Sequence, residues 1–176
     1  MLGLNLRPIR LSRRAEPFDS NRSLAHIEND RVRFNLRVQD LSRRADTWGT
    51  EVPVVRESGF THEAISLINV PADNLFRLML RVYESDSAGQ ARVRIDVFRQ
   101  STDERLGTVE TALPTREPVI YNPGYAQISI TDLFPNIHGQ DRLRITVTPT
   151  TPGANIWAFV SVTNDDTQQV TTITPQ

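Results

Sequence analysis

Apolar residues recur at every second position in several separate stretches of the chain. Val32, Phe34, Leu36 and Val38 alternate with Arg31, Arg33, Asn35 and Arg37, and Phe76, Leu78, Leu80 and Val82 alternate with Arg77, Met79, Arg81 and Tyr83. The same period recurs in Ala91, Val93, Ile95 and Val97, in Ala126, Ile128 and Ile130, and in Leu143, Ile145 and Val147. A period of two marks a strand with one face in a core and the other in water, and helical spacing fits none of these runs. Ile156-Trp-Ala-Phe-Val-Ser-Val162 starts apolar at both parities, as a strand covered on both sides would. Trp157 and Phe159 are therefore read as core or interface.

The segments between the runs carry turn chemistry. Ser85 to Gly89 joins two alternating runs over a hairpin-like distance, and Thr102, Asp103 and Glu104 followed by Gly107 make a second bend. Thr163 to Thr167 separates Ile156–Val162 from Gln168–Thr174, which predicts adjacent antiparallel strands. One helical turn is expected near Thr131 to Phe134, capped by Thr131 or Asp132. Short strands with turns between them, and no amphipathic helices, predict an all-β fold: a two-sheet antiparallel sandwich rather than a parallel α/β sheet. The expected core is Phe34, Leu36, Leu78, Leu80, Val82, Val93, Ile95, Val97, Ile128, Ile130, Leu143, Ile145, Val147, Ala158, Val160 and Val162.

Composition narrows the functional classes. The chain has 176 residues and no Cys, so thiolate chemistry and a disulfide framework are excluded, and at this length neither is needed for stability. No apolar run approaches the roughly 18 residues of a membrane-spanning helix. All twenty cationic residues are Arg, which points to codon usage in a GC-rich genome. Residues 1–44 hold ten Arg against five acids, net +5, and residues 45–176 hold ten Arg against sixteen acids, net −6, which together give the −1 of the whole chain. The basic Arg are neither interleaved with aromatics nor at one helical spacing, so docking onto a neighbouring domain is expected and nucleic acid is not. The opening lacks the apolar stretch of a secretory signal. Met1 is accordingly read as an internal or mis-assigned start, with a signal or further domains expected upstream.

The organisation that follows is a basic arm over residues 1–22, poorly structured or docked, then one or two additional strands over 23–49, and the sandwich over 50–176. Val32–Val38 resembles Leu75–Tyr83, so residues 23–49 read either as the edge of a second module or as a chance likeness between Arg-rich strands.

Catalytic signatures are missing. His26, His62 and His138 stand far apart and outside any metal-ligand pair, no Ser lies in a nucleophile elbow, and no phosphate-binding glycine loop is present. No catalytic residue, metal ligand or cofactor is assigned. Asp103-Glu104 and Asp165-Asp166 fall in expected hairpin loops, where turn formation explains them better than calcium does. The binding candidates are aromatic: Tyr121 and Tyr125 on a Pro/Gly loop, with Trp48, could stack on sugar rings.

Asp141-Arg-Leu-Arg-Ile-Thr-Val-Thr148, Ile156 to Thr167 and Val170-Thr-Thr-Ile-Thr-Pro175 resemble immunoglobulin-like β-sandwich modules of large exported proteins predicted in Acidobacteria-like bacteria. Trp48 to Glu57 and Leu67-Ile-Asn-Val70 also look like segments of those modules. The resemblance implies an immunoglobulin-like sandwich, an extracellular or cell-envelope setting, and no catalytic residues to carry over. The expected function is a non-catalytic structural or adhesion module of a larger secreted or envelope assembly. Its partners would be neighbouring domains or another protein chain, met through an edge strand such as the uncharged Val170-Thr-Thr-Ile-Thr-Pro175. The alternatives are a carbohydrate-binding module using Tyr121, Tyr125 and Trp48 on a glycan, and an enzyme whose site is assembled from scattered Asp, Glu and His.

Overall fold

The computed structural model describes residues 36–38, 50–85, 91–114 and 124–176. The chain divides between Arg33 and Phe34, and all described residues belong to the second unit. The described residues form ten strands: β1 (Leu36–Val38), β2 (Thr50–Val52), β3 (Ile65–Ala72), β4 (Phe76–Glu84), β5 (Arg92–Arg99), β6 (Arg105–Ala112), β7 (Gly124–Ser129), β8 (Gln140–Pro149), β9 (Ile156–Asn164) and β10 (Val170–Ile173). Every pairing is antiparallel. β1 and β2 form a two-stranded ribbon, β10-β9-β4-β7 form sheet one, and β3-β8-β5-β6 form sheet two.

The two larger sheets bury their period-two faces against each other. Leu78, Leu80 and Val82 of β4 stand opposite Val162, Val160 and Ala158 of β9, and all six are buried. From sheet two, Val93, Ile95 and Val97 of β5 meet Leu143, Ile145 and Val147 of β8 in the same core cluster. The expected all-β two-sheet sandwich is thus the observed architecture. Phe34 lies outside the described residues. Leu36 departs from the expected core: it stands on the three-residue ribbon strand β1, outside the two larger sheets, and is 52% exposed.

Local signals place the connections. The β9–β10 hairpin closes as expected: Asn164 Oδ1 accepts from the backbone N–H groups of Asp166 (3.0 Å) and Thr167 (2.9 Å), and Gln168 takes a left-handed φ of 58°. Asp103 takes a similar left-handed φ of 56° in the β5–β6 hairpin. Gly107, expected in that bend, instead lies inside β6 opposite Val97. Its missing side chain makes room for the buried Phe134 ring: a Cβ there would stand 2.5 Å from Phe134 Cδ1 and Cε1. The single helical turn, α1, spans Ile130–Leu133, and its cap is Ser129 rather than Thr131 or Asp132: Ser129 Oγ accepts from the Asp132 N–H at 3.3 Å.

Strand order departs from the immunoglobulin plan, in which the sheets run A-B-E-D and C-F-G. Along β3 to β10 only β5–β6 and β9–β10 are hairpins within one sheet, and the other five connections cross between the sheets. With β3 to β9 taken as strands C to I of a jelly roll, whose sheets run B-I-D-G and C-H-E-F, every one falls into place. The position of strand B, beside β9, is divided. β10 from downstream pairs with Val160–Thr163, and Thr61, just before β3, bridges to Ile156 farther along the same edge. The uncharged strand β10 is therefore covered on one side by β9, as expected, and β2 also lies near it.

Candidate binding site

The two outward faces of the sandwich differ in chemistry. On sheet one the residues out of phase with the core form cross-strand rows. Tyr125, Tyr83 and Trp157 make one row, Gln127, Arg81 and Phe159 the next, and Ser129, Met79 and Ser161 a third. Directly opposed residues in neighbouring strands have Cβ atoms about 5 Å apart, so the register by itself brings these rings together. Tyr83 sits at the centre, with ring centroids 5.0 Å from Tyr125, 6.2 Å from Trp157 and 6.2 Å from Phe159, the last nearly parallel. Trp157 and Phe159 are 5.4 Å apart. Arg81 spreads over Phe159 at 5.6 Å and donates from Nη1 to Ser161 Oγ at 2.6 Å, and Tyr125 donates its hydroxyl to Gln127 Oε1 at 2.8 Å. These three rows carry no carboxylate.

Sheet two presents the opposite. Its outward face is a lattice of ion pairs and hydroxyls: Arg94 Nε to Asp96 Oδ2 at 2.9 Å, Arg92 to Glu110 at 3.8 Å, and Arg144 to Asp103 at 2.8 Å. Arg144 also covers the Phe98 ring at 4.2 Å. Exposed pairs such as Arg92–Glu110 each contribute about 0–1 kcal/mol, whereas the Asp96 carboxylate is itself buried beneath Arg94.

Of the aromatic residues singled out from the sequence, Tyr125 stands in the cluster on sheet one, and Trp48 and Tyr121 lie outside the described residues. Trp157 and Phe159, read as core or interface, are buried on the outward side of β9 rather than between the sheets. Tyr83 and Arg81 were not singled out. Their signal was parity, since they share the phase of Arg77 and Met79, and only the pairing with β7 and β9 reveals what that phase faces. The acid pairs are engaged by arginine: Asp103 by Arg144, Glu104 by Arg99 at 3.1 Å, and Asp165 by Arg77 at 3.3 Å. His62 is exposed, with Nδ1 3.0 Å from the Ala154 carbonyl oxygen, and His138 ends the short 3-10 turn Pro135–Ile137. Among the described residues no helix is long and apolar enough to cross a membrane.

Burial pushes the Tyr83 phenol above its ordinary value. Tyr125 beside it adds to the shift, and Arg81 opposes it. A tyrosine whose folded-state pKa exceeds its unfolded value of about 10 stabilises the fold fully below that pH and loses the contribution as pH rises through the folded value. Tyr83→Phe should therefore flatten the alkaline decline in Tm. Thermal melts from about pH 9 to pH 11 test this, and an unchanged slope in the variant would contradict the assignment.

Comparison with family models, with curated proteins and with solved structures finds no match for this chain. Its class therefore rests on the fold and the surface: a two-sheet antiparallel β-sandwich with one aromatic and one charged outward face.

Proposed function

We propose that this chain is a non-catalytic adhesion module of a larger secreted or cell-envelope assembly, and that it engages a neighbouring polypeptide through the aromatic face of sheet one. The contrast between the two outward faces carries the reading. Interface cores are enriched in Tyr, Trp, Phe, Met and Arg and depleted in acids. Tyr83, Tyr125, Met79 and Arg81 reproduce that composition on one face, backed by the buried rings of Trp157 and Phe159, whereas the half of the other face around β5 and β6 carries Asp96 and Glu110, with Asp103 at the hairpin beside it. Rings locked by their neighbours lose little conformational freedom when a partner docks, which favours binding at such a surface.

A photo-crosslinking residue placed at position 83, and in parallel at position 108 on the charged face, tests this in the native envelope. Crosslinks to another protein from position 83 but not from 108 are the expected result. Crosslinks from 108 alone, or from neither, would refute it.

The saccharide reading is favoured by one observation, the surface hydrogen bond between the Tyr125 hydroxyl and Gln127 beside a second tyrosine. Glycan binding that disappears in Tyr125→Ala would replace the polypeptide partner with a sugar.

A further inference from the structure

Where edge strand β10 of sheet one faces edge strand β3 of sheet two, a groove of about 570 Å³ lies among the described residues. That is the size range of small-ligand sites, roughly 300–1,000 Å³. Two irregularities of β3 help to shape it. The β3–β8 register shifts between Leu67 and Val70 and again between Pro71 and Ala72, and Asn69 within the first shift holds a left-handed φ of 59°. The strained residue is locked from both sides. Its N–H donates to Gln100 Oε1 at 2.6 Å, and Gln100 Nε2 donates back to Asn69 Oδ1 at 3.0 Å. Bulges of this kind re-aim side chains at strand edges and next to sites. Here the irregular residues Asn69, Pro71 and Ala72 line the groove, with Phe76, Val162 and Ile173 as its apolar part.

The rim has unspent hydrogen-bonding capacity of both kinds. Asp73 Oδ1 accepts from the Leu75 N–H at 3.2 Å, which leaves Oδ2 as an acceptor. Asn69 uses its carbonyl oxygen on Gln100 and retains its NH₂ as a donor. Arg142 makes one long contact, from Nη1 to the Asn69 carbonyl oxygen at 3.5 Å, and keeps further N–H donors. Thr171 contributes a hydroxyl that both gives and accepts. One anionic and one cationic side chain line the same groove, so an anion meets Asp73 and a cation meets Arg142. A neutral polyhydroxyl compound meets neither penalty. Its hydroxyls can donate to Asp73 and accept from Arg142 and Asn69, while its C–H face lies on the Phe76 ring.

We infer that this groove binds a neutral saccharide unit, with Asp73, Asn69, Arg142 and Thr171 reading hydroxyls beside an apolar part that includes Phe76. The site lies away from the aromatic face of sheet one and does not depend on the function proposed for that face.

Saturation-transfer NMR and calorimetry on the full chain test it, using the methyl glycosides of glucose, galactose and mannose, the disaccharides cellobiose and lactose, inorganic phosphate and calcium. At least one neutral sugar should bind, and phosphate and calcium should not. Asp73→Asn keeps the acceptor for the Leu75 N–H and Thr171→Val keeps the side-chain volume, so both variants should melt like the parent. Each should weaken the sugar about tenfold, as loss of one good hydrogen bond does. Tyr125→Ala should leave the affinity unchanged. No binding by any of the five sugars overturns the inference, as does preferential binding of phosphate or calcium. Sugar binding that survives both groove variants but is lost in Tyr125→Ala overturns it too, and assigns the sugar to the aromatic face.

Discussion

Leu80→Ala is expected to destabilise the protein by about 2–5 kcal/mol, a fall of roughly 4–20 °C in Tm for a chain of this size. Leu80 is wholly buried on β4, flanked by Ile128 of β7 on one side and Val160 of β9 on the other. Removing it deletes apolar atoms from the centre of sheet one, and the neighbours are held by ladders on both sides, so they can close little of the cavity. Leu36→Ala makes the control. The same chemical change at a residue 52% exposed should fall within about 0.5 kcal/mol of the parent. Denaturant unfolding of the two variants separates the cases. Equal effects would mean that β1 is packed far more tightly than its exposure indicates.

The second large effect is expected at a glycine. Gly107→Ala places a methyl group 2.5 Å from two ring carbons of Phe134, inside van der Waals contact, so either the ring or β6 must move. Phe134 is buried over β6 at the end of α1, and overpacking of this kind costs about 1–3 kcal/mol. The cause is steric, so it should vanish when the ring is made smaller. In a Phe134→Leu background Gly107→Ala should cost little, with a coupling of about 0.5–3 kcal/mol in the double-mutant cycle. An additive cycle would show that the glycine is required for its backbone rather than for the space it leaves.

Both predictions rest on neighbours that are distant in sequence, and this marks how far the chain could be read before its fold was known. The alternation in Phe76–Val82, Ala91–Val97 and Leu143–Val147 was enough to name the buried phase of each strand, because burial on a sheet depends only on which of two faces a residue occupies. Asn164, Asp165 and Asp166 were enough to place the β9–β10 hairpin, since short polar side chains cap the turn within a few residues. Leu36 looked equivalent to Leu80 because periodicity records phase and not depth. Whether a second layer covers a strand is decided elsewhere in the chain.

The binding surfaces show the same division. Tyr125 could be picked out as an aromatic on a Pro/Gly loop, but Tyr83, Trp157 and Phe159 become one cluster only through the registers of β4 with β7 and β9. The groove between β3 and β10 joins residues up to about a hundred positions apart, Asn69 and Asp73 with Arg142 and Thr171, and nothing local announces it.

By itself, then, the sequence determined strand phase, turn position and the all-β class, each set by interactions within a few residues along the chain. Tertiary structure decided connectivity, with five of seven links crossing between the sheets and the place of strand B shared by Thr61 and β10. It also decided that Gly107 serves the Phe134 ring, and which outward rows become aromatic, charged or hollow. The reason is that strand pairing is non-local: any two strands of matching period can hydrogen-bond, and only burial of all of them in one core selects which do.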